Sequence, residues 1–351
     1  MAKYRVGIIG CGRPWRSEGA TGFGMSNAHA EGYKASPDAE IVALADISME
    51  NARAFQEKHG GDNIYEDYHA MLAQENLDIV SISTWPHLHA EMVLAAARAG
   101  VKAIHCEKPM AVTFGDCTEM VRVCDEQDVQ LTFNHQRRFG APFRKAREIL
   151  RSGAIGDLQR MEAYCPNLYD WGTHWFDMLF FYNDEAPAEW VIGQFDIRES
   201  SRVFGALIEG QGISQFKFQN GVYGMLITGR GAGGSMANRL IGSDGVIEVG
   251  GSPDVPLRMW GKGQSGWTTV PLDGGIHDSE SQVPAGVLDL IDALKSGREP
   301  ELSGHRALRA TELIFGTYES SRRRGRVDLP LEIADSPILA MVEDGVIVAD
   351  E

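Results

Sequence analysis

The stretch that decides the fold is Val6-Gly7-Ile8-Ile9-Gly10-Cys11-Gly12, a β-branched run that stops on two glycines. The spacing predicts a strand over Tyr4–Ile9 and a tight turn directly after it. A dinucleotide-binding turn needs this order: the first glycine turns the chain, and the second lets backbone approach a pyrophosphate. The usual third glycine slot holds Trp15, and the segment from Arg13 to Gly24 postpones the next helix to Ser26. A second apolar run, Ile41–Ala45, ends at Asp46, about 20 residues past the glycines that open the postponed helix. A carboxylate at that place can accept both ribose hydroxyls of an adenosine and repels a 2′-phosphate, so NAD is expected. Arg13 and Arg16 keep NADP open, because a guanidinium pairs with phosphate.

Outward from this stretch, strand and helix alternate. Helices are expected near Ser26–Ala35, from the Ser48 cap to His59, over Leu88–Ala99 and from Thr113 to Cys124. Strands are expected at Leu77–Thr84, Val101–Cys106 and Val129–Phe133. Right-handed crossovers between them imply an α/β domain with a doubly wound parallel sheet, placed at residues 1–130. Beyond about residue 155, long strand-like runs (Ile213–Phe218, Gly221–Thr228, Leu240–Val249) and the turns Asn220-Gly221 and Asp244-Gly245 replace this texture. Helical periodicity returns at Val287–Leu294 and Ala307–Ser321. Residues 131–351 are therefore expected to form an α+β domain with a large, mostly antiparallel open sheet.

Composition sets the outer limits. The 351 residues carry 33 Lys+Arg and 49 Asp+Glu, a formal charge of -16 that repels phosphate backbones and argues against general nucleic-acid binding. Arg322-Arg323-Arg324 follows the last helix, where positive charge suits the dipole. No apolar run approaches the roughly 20 residues of a membrane span. Five scattered cysteines without CxxC spacing read as reduced thiols, so a cytoplasmic protein is expected. His87, His89, His105 and Cys106 lack regular ligand spacing, so no metal is expected.

The richest chemistry lies in Thr84-Trp85-Pro86-His87-Leu88-His89 and Cys106-Glu107-Lys108-Pro109, each at a strand's carboxyl end, where open α/β sheets place ligands. A second cluster is Asp170-Trp171-Gly172-Thr173-His174, whose Asp-x-x-x-His spacing on a helix puts both side chains on one face. With Val42–Asp46, Asn134–Phe139, Ser152–Gly156 and Ile241–Glu248, these stretches make the chain resemble the glucose–fructose oxidoreductase / inositol dehydrogenase / rhizopine catabolism family.

The resemblance implies a Rossmann domain followed by an α+β domain whose open sheet forms oligomer contacts, hence a homodimer or homotetramer. It implies that Lys108, Asp170 and His174 surround a reacting carbinol, with His174 as general base, Lys108 bonded to the same oxygen and Asp170 positioning the substrate. Gly10, Cys11, Gly12, Arg13, Asp46, Thr84, Trp85, His87, Glu107 and Lys108 would bind the cofactor. His135, Arg137, Tyr164 and Asn167 are expected substrate contacts, because they are polar and flank the motifs. The leading expectation is hydride transfer between a secondary hydroxyl of a sugar, sugar derivative or cyclitol and the nicotinamide. An NAD-retaining glycoside hydrolase working by transient oxidation and elimination is the alternative, with Tyr164, Tyr169 or His135 as its extra base. A non-catalytic dinucleotide sensor is the third reading, disfavoured by the apparently intact Lys108, Asp170 and His174.

Overall fold

The computed structural model describes residues 3–13, 17–18, 20, 22–232, 237–252, 254–272 and 278–349. Trp15 and Arg16 lie outside the described residues. The chain divides into two compact units. The first comprises 1–112, 116–136 and 279–307, and the second 113–115, 137–278 and 308–351. The contiguous division at residue 130 is thus corrected: the segment from Ser279 to Ala307 returns to the first unit.

In the first unit the order is β1 (Tyr4–Ile9), α1 (Ser26–Ala35), β2 (Ala39–Ala45), α2 (Met49–His59), β3 (Asn63–Tyr65), α3 (Tyr68–Gln74), β4 (Ile79–Ile82), α4 (Pro86–Arg98), β5 (Ala103–Cys106), α5 (Phe114–Glu126) and β6 (Gln130–Phe133). Among the described residues the strands form one parallel sheet in the order β3-β2-β1-β4-β5-β6. The order reverses between β1 and β4, and open α/β sheets bind ligands in that crevice. Strands β2, β4 and β5 bury nearly every side chain, as a sheet covered on both faces requires. Ser48 caps α2 as expected, its hydroxyl accepting from the Asn51 amide at 3.3 Å.

The second unit continues with α6 (Ala141–Arg151), β7 (Leu158–Cys165), α7 (Trp171–Tyr182), β8 (Ala188–Asp196), β9 (Ser201–Val203), β10 (Ala206–Ile208), β11 (Gln211–Phe218), β12 (Tyr223–Thr228), β13 (Asn238–Gly242), β14 (Gly245–Ser252), β15 (Val255–Gly261) and β16 (Thr268–Thr269). The chain ends with α8 (Ser279–Ser296), α9 (Gly304–Arg323), β17 (Val327–Asp328) and α10 (Pro337–Glu343). Nine described strands form a mixed sheet, antiparallel except for the β7–β12 pair.

Helix α8 explains the return of residues 279–307. Its Val287, Leu290 and Ile291 are buried in one core cluster with Val6, Ile8, Tyr33 and Leu44. Gly32 permits the approach of α1, since a Cβ there would stand 2.6 Å from Val287 Cβ. Each such aliphatic burial contributes about 1.5–3 kcal/mol. In the second unit α7 lies on the sheet face lined by Phe216 and Phe218, which meet Phe176 and Phe180 at ring distances of 5.6 and 5.3 Å. No helix among the described residues is long and apolar enough to cross a membrane.

Candidate active site

In the first unit, candidate residues line the carboxyl edge of the parallel sheet. Gly10 ends β1 with φ +88°, and its amide donates to Ala45 O at 2.9 Å. A Cβ there would fall 2.7 Å from the Ser83 carbonyl oxygen, so only glycine fits. Gly12 differs: among the described residues, a Cβ there would meet Gly24 Cα at 3.8 Å and nothing nearer. The protein itself leaves that position uncrowded, as close approach of a pyrophosphate demands. Asp46 is fixed at the end of β2, accepting from the Cys11 amide at 2.7 Å and the Ser48 amide at 2.8 Å. These residues fit a dinucleotide: Gly10 to Gly12 would face its phosphates, and Asp46 its adenosine ribose.

Arg13 stands beside this edge with its guanidinium already engaged. It bonds Asn51 Oδ1 at 3.0 Å, Glu50 at 2.6 Å and the Glu18 carbonyl at 2.8 Å. That commitment, next to the Asp46 carboxylate, favours NAD over NADP. Asn27, which sequence reasoning missed, stitches both ends of the postponing segment, its amide donating to the carbonyls of Gly12 and Gly24 at 3.0 Å each.

Further along the edge, Trp85 is the exposed cap residue of α4, with the exposed His87 edge-on at 5.9 Å. Thr84 donates to Met92 Sδ at 3.3 Å. His89 is buried and faces the Pro109 carbonyl at 2.9 Å and that of Thr84 at 3.2 Å, joining the two turns. Glu107, at the end of β5, accepts from Asn134 Nδ2 at 2.7 Å and from the Lys108 amide at 3.2 Å, and meets His29 Nε2 at 3.0 Å. Burial alone would raise its carboxyl, but His29, Asn134 and the Lys108 charge outweigh it and hold it at about 2. Lys108 itself is half-buried.

In the second unit, a separate group of candidate residues is built at the start of α7. Asn167 Oδ1 accepts from the amides of Asp170 at 2.7 Å and Trp171 at 3.1 Å, closing the helix start. Asp170 therefore does no capping: it has helical φ and ψ, and its side chain makes no cap bond. Asp170 and His174, one turn apart, are both buried and share a face. Arg137 is buried above Trp175, with its guanidinium 4.6 Å from the ring centroid. Burial drags its pKa down to about 10, against the pull of the Asp170 charge. Beneath the loop, buried Glu209 accepts from the Leu168 amide at 2.5 Å, the Tyr318 hydroxyl at 2.7 Å and the Thr228 hydroxyl at 3.2 Å. Arg138 is fully buried, in a fork with both Asp177 oxygens at 2.8 Å.

Of the four expected substrate contacts, Arg137 stands with Asp170 in the second unit, and His135 is buried in the first unit at the end of β6. Asn167 shapes the helix start, its side-chain oxygen accepting from two backbone amides. Tyr164 lies on β7. Alternation along β7 puts Met161, Ala163 and Cys165 on the face toward α7, opposite Gly224, Leu226 and Thr228 of β12. Tyr164 points to the other face, where its hydroxyl donates to Glu162 at 3.1 Å. Sequence reasoning missed His29 and Glu209; a lone histidine in a helix and a glutamate between short strands carry no pattern. Among the described residues no group of three or more His, Cys, Asp or Glu side chains could hold a metal.

The fold and this edge define a dinucleotide-binding α/β protein with a second, sheet-based domain. Residues 4–135 match the model of the oxidoreductase family with NAD-binding Rossmann fold, in keeping with the resemblance to glucose–fructose oxidoreductase, inositol dehydrogenase and rhizopine catabolism proteins. A D-apiose dehydrogenase from Paraburkholderia graminis is 26% identical over 390 residues, covering 99% of this chain and 95% of that protein. A myo-inositol 2-dehydrogenase from Thermotoga maritima is 32% identical over 152 residues, 43% of this chain and 42% of the relative. The structure of a WlbA dehydrogenase from Bordetella pertussis, in complex with NADH and UDP-GlcNAcA, has the same fold. It aligns at a TM-score of 0.75 and 22% identity, over 94% of this chain and 100% of that one.

Proposed function

We propose that this protein oxidises a secondary hydroxyl of a sugar, sugar derivative or cyclitol with NAD. The observation that carries the reading is the carboxyl edge of the parallel sheet, where an uncrowded glycine turn, a fixed Asp46 carboxylate and the Glu107-Lys108 turn follow one another. The sugar and cyclitol class is the one named for both dehydrogenase relatives. When bound, the nicotinamide supplies the hydride acceptor.

The chain's own residues supply the rest. Lys108 donates a hydrogen bond to the carbinol oxygen and stabilises negative charge as it develops there. His174 takes the hydroxyl proton. Asp170 and Arg137 orient the substrate, Asp170 as acceptor of its hydroxyls and Arg137 as a donor held flat by Trp175. The buried setting of both sharpens these polar contacts, since water competes less for them.

The protein is further inferred to work as a cytoplasmic homodimer or homotetramer without nucleic-acid partners, in keeping with five free cysteines and a charge of -16. Ile192, Ile213 and Tyr223 are exposed on the sheet face away from α7, a surface suited to self-association. Light scattering that finds a monomer overturns this part.

The activity test incubates purified protein with NAD or NADP and a panel containing myo-inositol, D-apiose and simple glycosides. NADH formation from a polyol or sugar is the expected result. Glycoside cleavage without net NADH, from protein that releases NAD on denaturation, would replace this reading with a redox-neutral hydrolase. A preference for NADP would refute the role given to Asp46.

A further inference from the structure

The mechanism uses Lys108 but leaves unexplained a fully buried imidazole behind it. His29, on α1, is 0% exposed, an expensive place for a titratable ring unless its nitrogens are satisfied. Both are. Nε2 lies 3.0 Å from Glu107 Oε1, and Nδ1 lies 2.8 Å from Ser81 Oγ. A carboxylate only accepts, so Nε2 carries a proton, and in the neutral ring Nδ1 accepts from the Ser81 hydroxyl. The same Glu107 oxygen accepts from Asn134 Nδ2 at 2.7 Å, while the other oxygen accepts from the Lys108 amide. His105 packs against the His29 ring at 4.6 Å, and burial pushes its pKa well down, so it brings no charge.

Three elements thus meet on one carboxylate, α1, the end of β5 and the end of β6, and β4 is tied in through Ser81 on the His29 ring. The first of them, α1, is also the helix whose Asn27 holds the glycine turn. Lys108 is the next residue after that carboxylate, so any tilt of Glu107 moves the lysine's backbone.

We propose that His29 is a positioning residue for Lys108: through Glu107 it locks the turn carrying the lysine to the helix behind the glycine turn. The proposal rests on the catalytic role given to Lys108 above. Buried imidazole and carboxylate also form a pair whose disruption leaves the remaining partner unsatisfied, which makes the lock stiff.

The test compares wild type with His29→Leu, His29→Gln and Asn134→Leu. Glutamine restores an N–H donor toward Glu107, and leucine removes it. The first readout is the rate at which formaldehyde and borohydride methylate Lys108 in the unliganded protein, followed by peptide mass spectrometry with the other lysines as internal standards. The second is kcat, KM and NAD affinity with whichever of myo-inositol and D-apiose is oxidised. For His29→Leu the Lys108 rate should shift by about 3-fold or more and kcat fall by ~10-fold or more, with NAD affinity within about 2-fold, as misplacement of a catalytic group predicts. His29→Gln should return both readouts toward wild type. Should His29→Leu not fold, Asn134→Leu is expected to move both in the same direction, by less.

Unchanged Lys108 labelling and unchanged kcat in the folded variants would overturn the proposal. So would equal losses in NAD affinity and kcat that glutamine does not restore. Shifted labelling in a protein that oxidises no sugar or polyol would uphold the lock and defeat the oxidoreductase reading instead.

Discussion

The two groups of candidate residues are assembled by different means. At the edge of the parallel sheet, Gly10, Asp46 and Glu107 each follow directly on a strand, Thr84 lies two residues past β4, and backbone pairing between neighbouring strands sets their spacing. At the start of α7, Asp170 and His174 owe their places to partners remote in sequence: Glu209 under Leu168, and Tyr318 under Glu209. Strand pairing therefore spaces the first group, whereas side-chain anchors set the second. The contrast teaches that a parallel sheet prepays the geometry of its ligand edge, whereas a helix laid on a mixed sheet needs separate ties.

This contrast can be broken or sharpened by substitution. The largest effect concerns acid stability in the first group. Glu107 is depressed from 4.5 to about 2, so its contribution is fully present above pH 4.5 and lost as pH falls toward 2. That shift corresponds to on the order of 3 kcal/mol. Denaturant unfolding from pH 6 to pH 2 should fall less steeply for Glu107→Gln than for wild type. A parallel decline in both would remove the buried carboxylate network from the account.

Next comes the anchor of the second group. Glu209→Leu strands the Leu168 amide and the Tyr318 hydroxyl, and should cost about 2 kcal/mol of unfolding free energy. It should also lower turnover while leaving NAD affinity unchanged, because its neighbours all lie in the second unit. A loss of NAD affinity would show that the two groups are not independent. Asp46→Ala should do the reverse, weakening NAD binding about 10-fold with NADP affected less, through loss of hydrogen bonds to the ribose. Equal weakening of NAD and NADP in titrations would contradict the ribose assignment. Smallest of all is Tyr164→Phe, which should leave kcat and KM within about twofold of wild type, since it removes only a bond to Glu162 on the far face. A clear rise in KM would return Tyr164 to the substrate site.

The same contrast explains what could be read from sequence. Strands β1, β2, β5 and β6, with α1 and α2, were legible because apolar runs, glycines and Ser48 mark their ends. The three-residue strand β3 and the seven-residue α3 were not, being too short to show a period. The apolar periodicity of α8 announced a helix but could not say which sheet it covers; Gly32, the residue that admits it, reads as an ordinary helical glycine. Lys108, Asp170 and His174 stood out through their motifs. The direction in which Tyr164 points was not legible, because the alternation along β7 carries no strong sequence pattern. Nor was the bond by which Asn167 closes the helix start, since an asparagine's backbone partners depend on the turn it sits in.

The central claim is a division of labour, with dinucleotide binding in the first unit and the proton acceptor in the second. The most direct measurement is a paired one on wild type and His174→Ala: NAD affinity by titration, and NADH formation from the best sugar or polyol on the same samples. The account expects equal affinity and a fall in turnover of at least ~10²-fold, the scale of general base catalysis. Undiminished turnover, or a loss of NAD affinity as large as the loss of turnover, would contradict it.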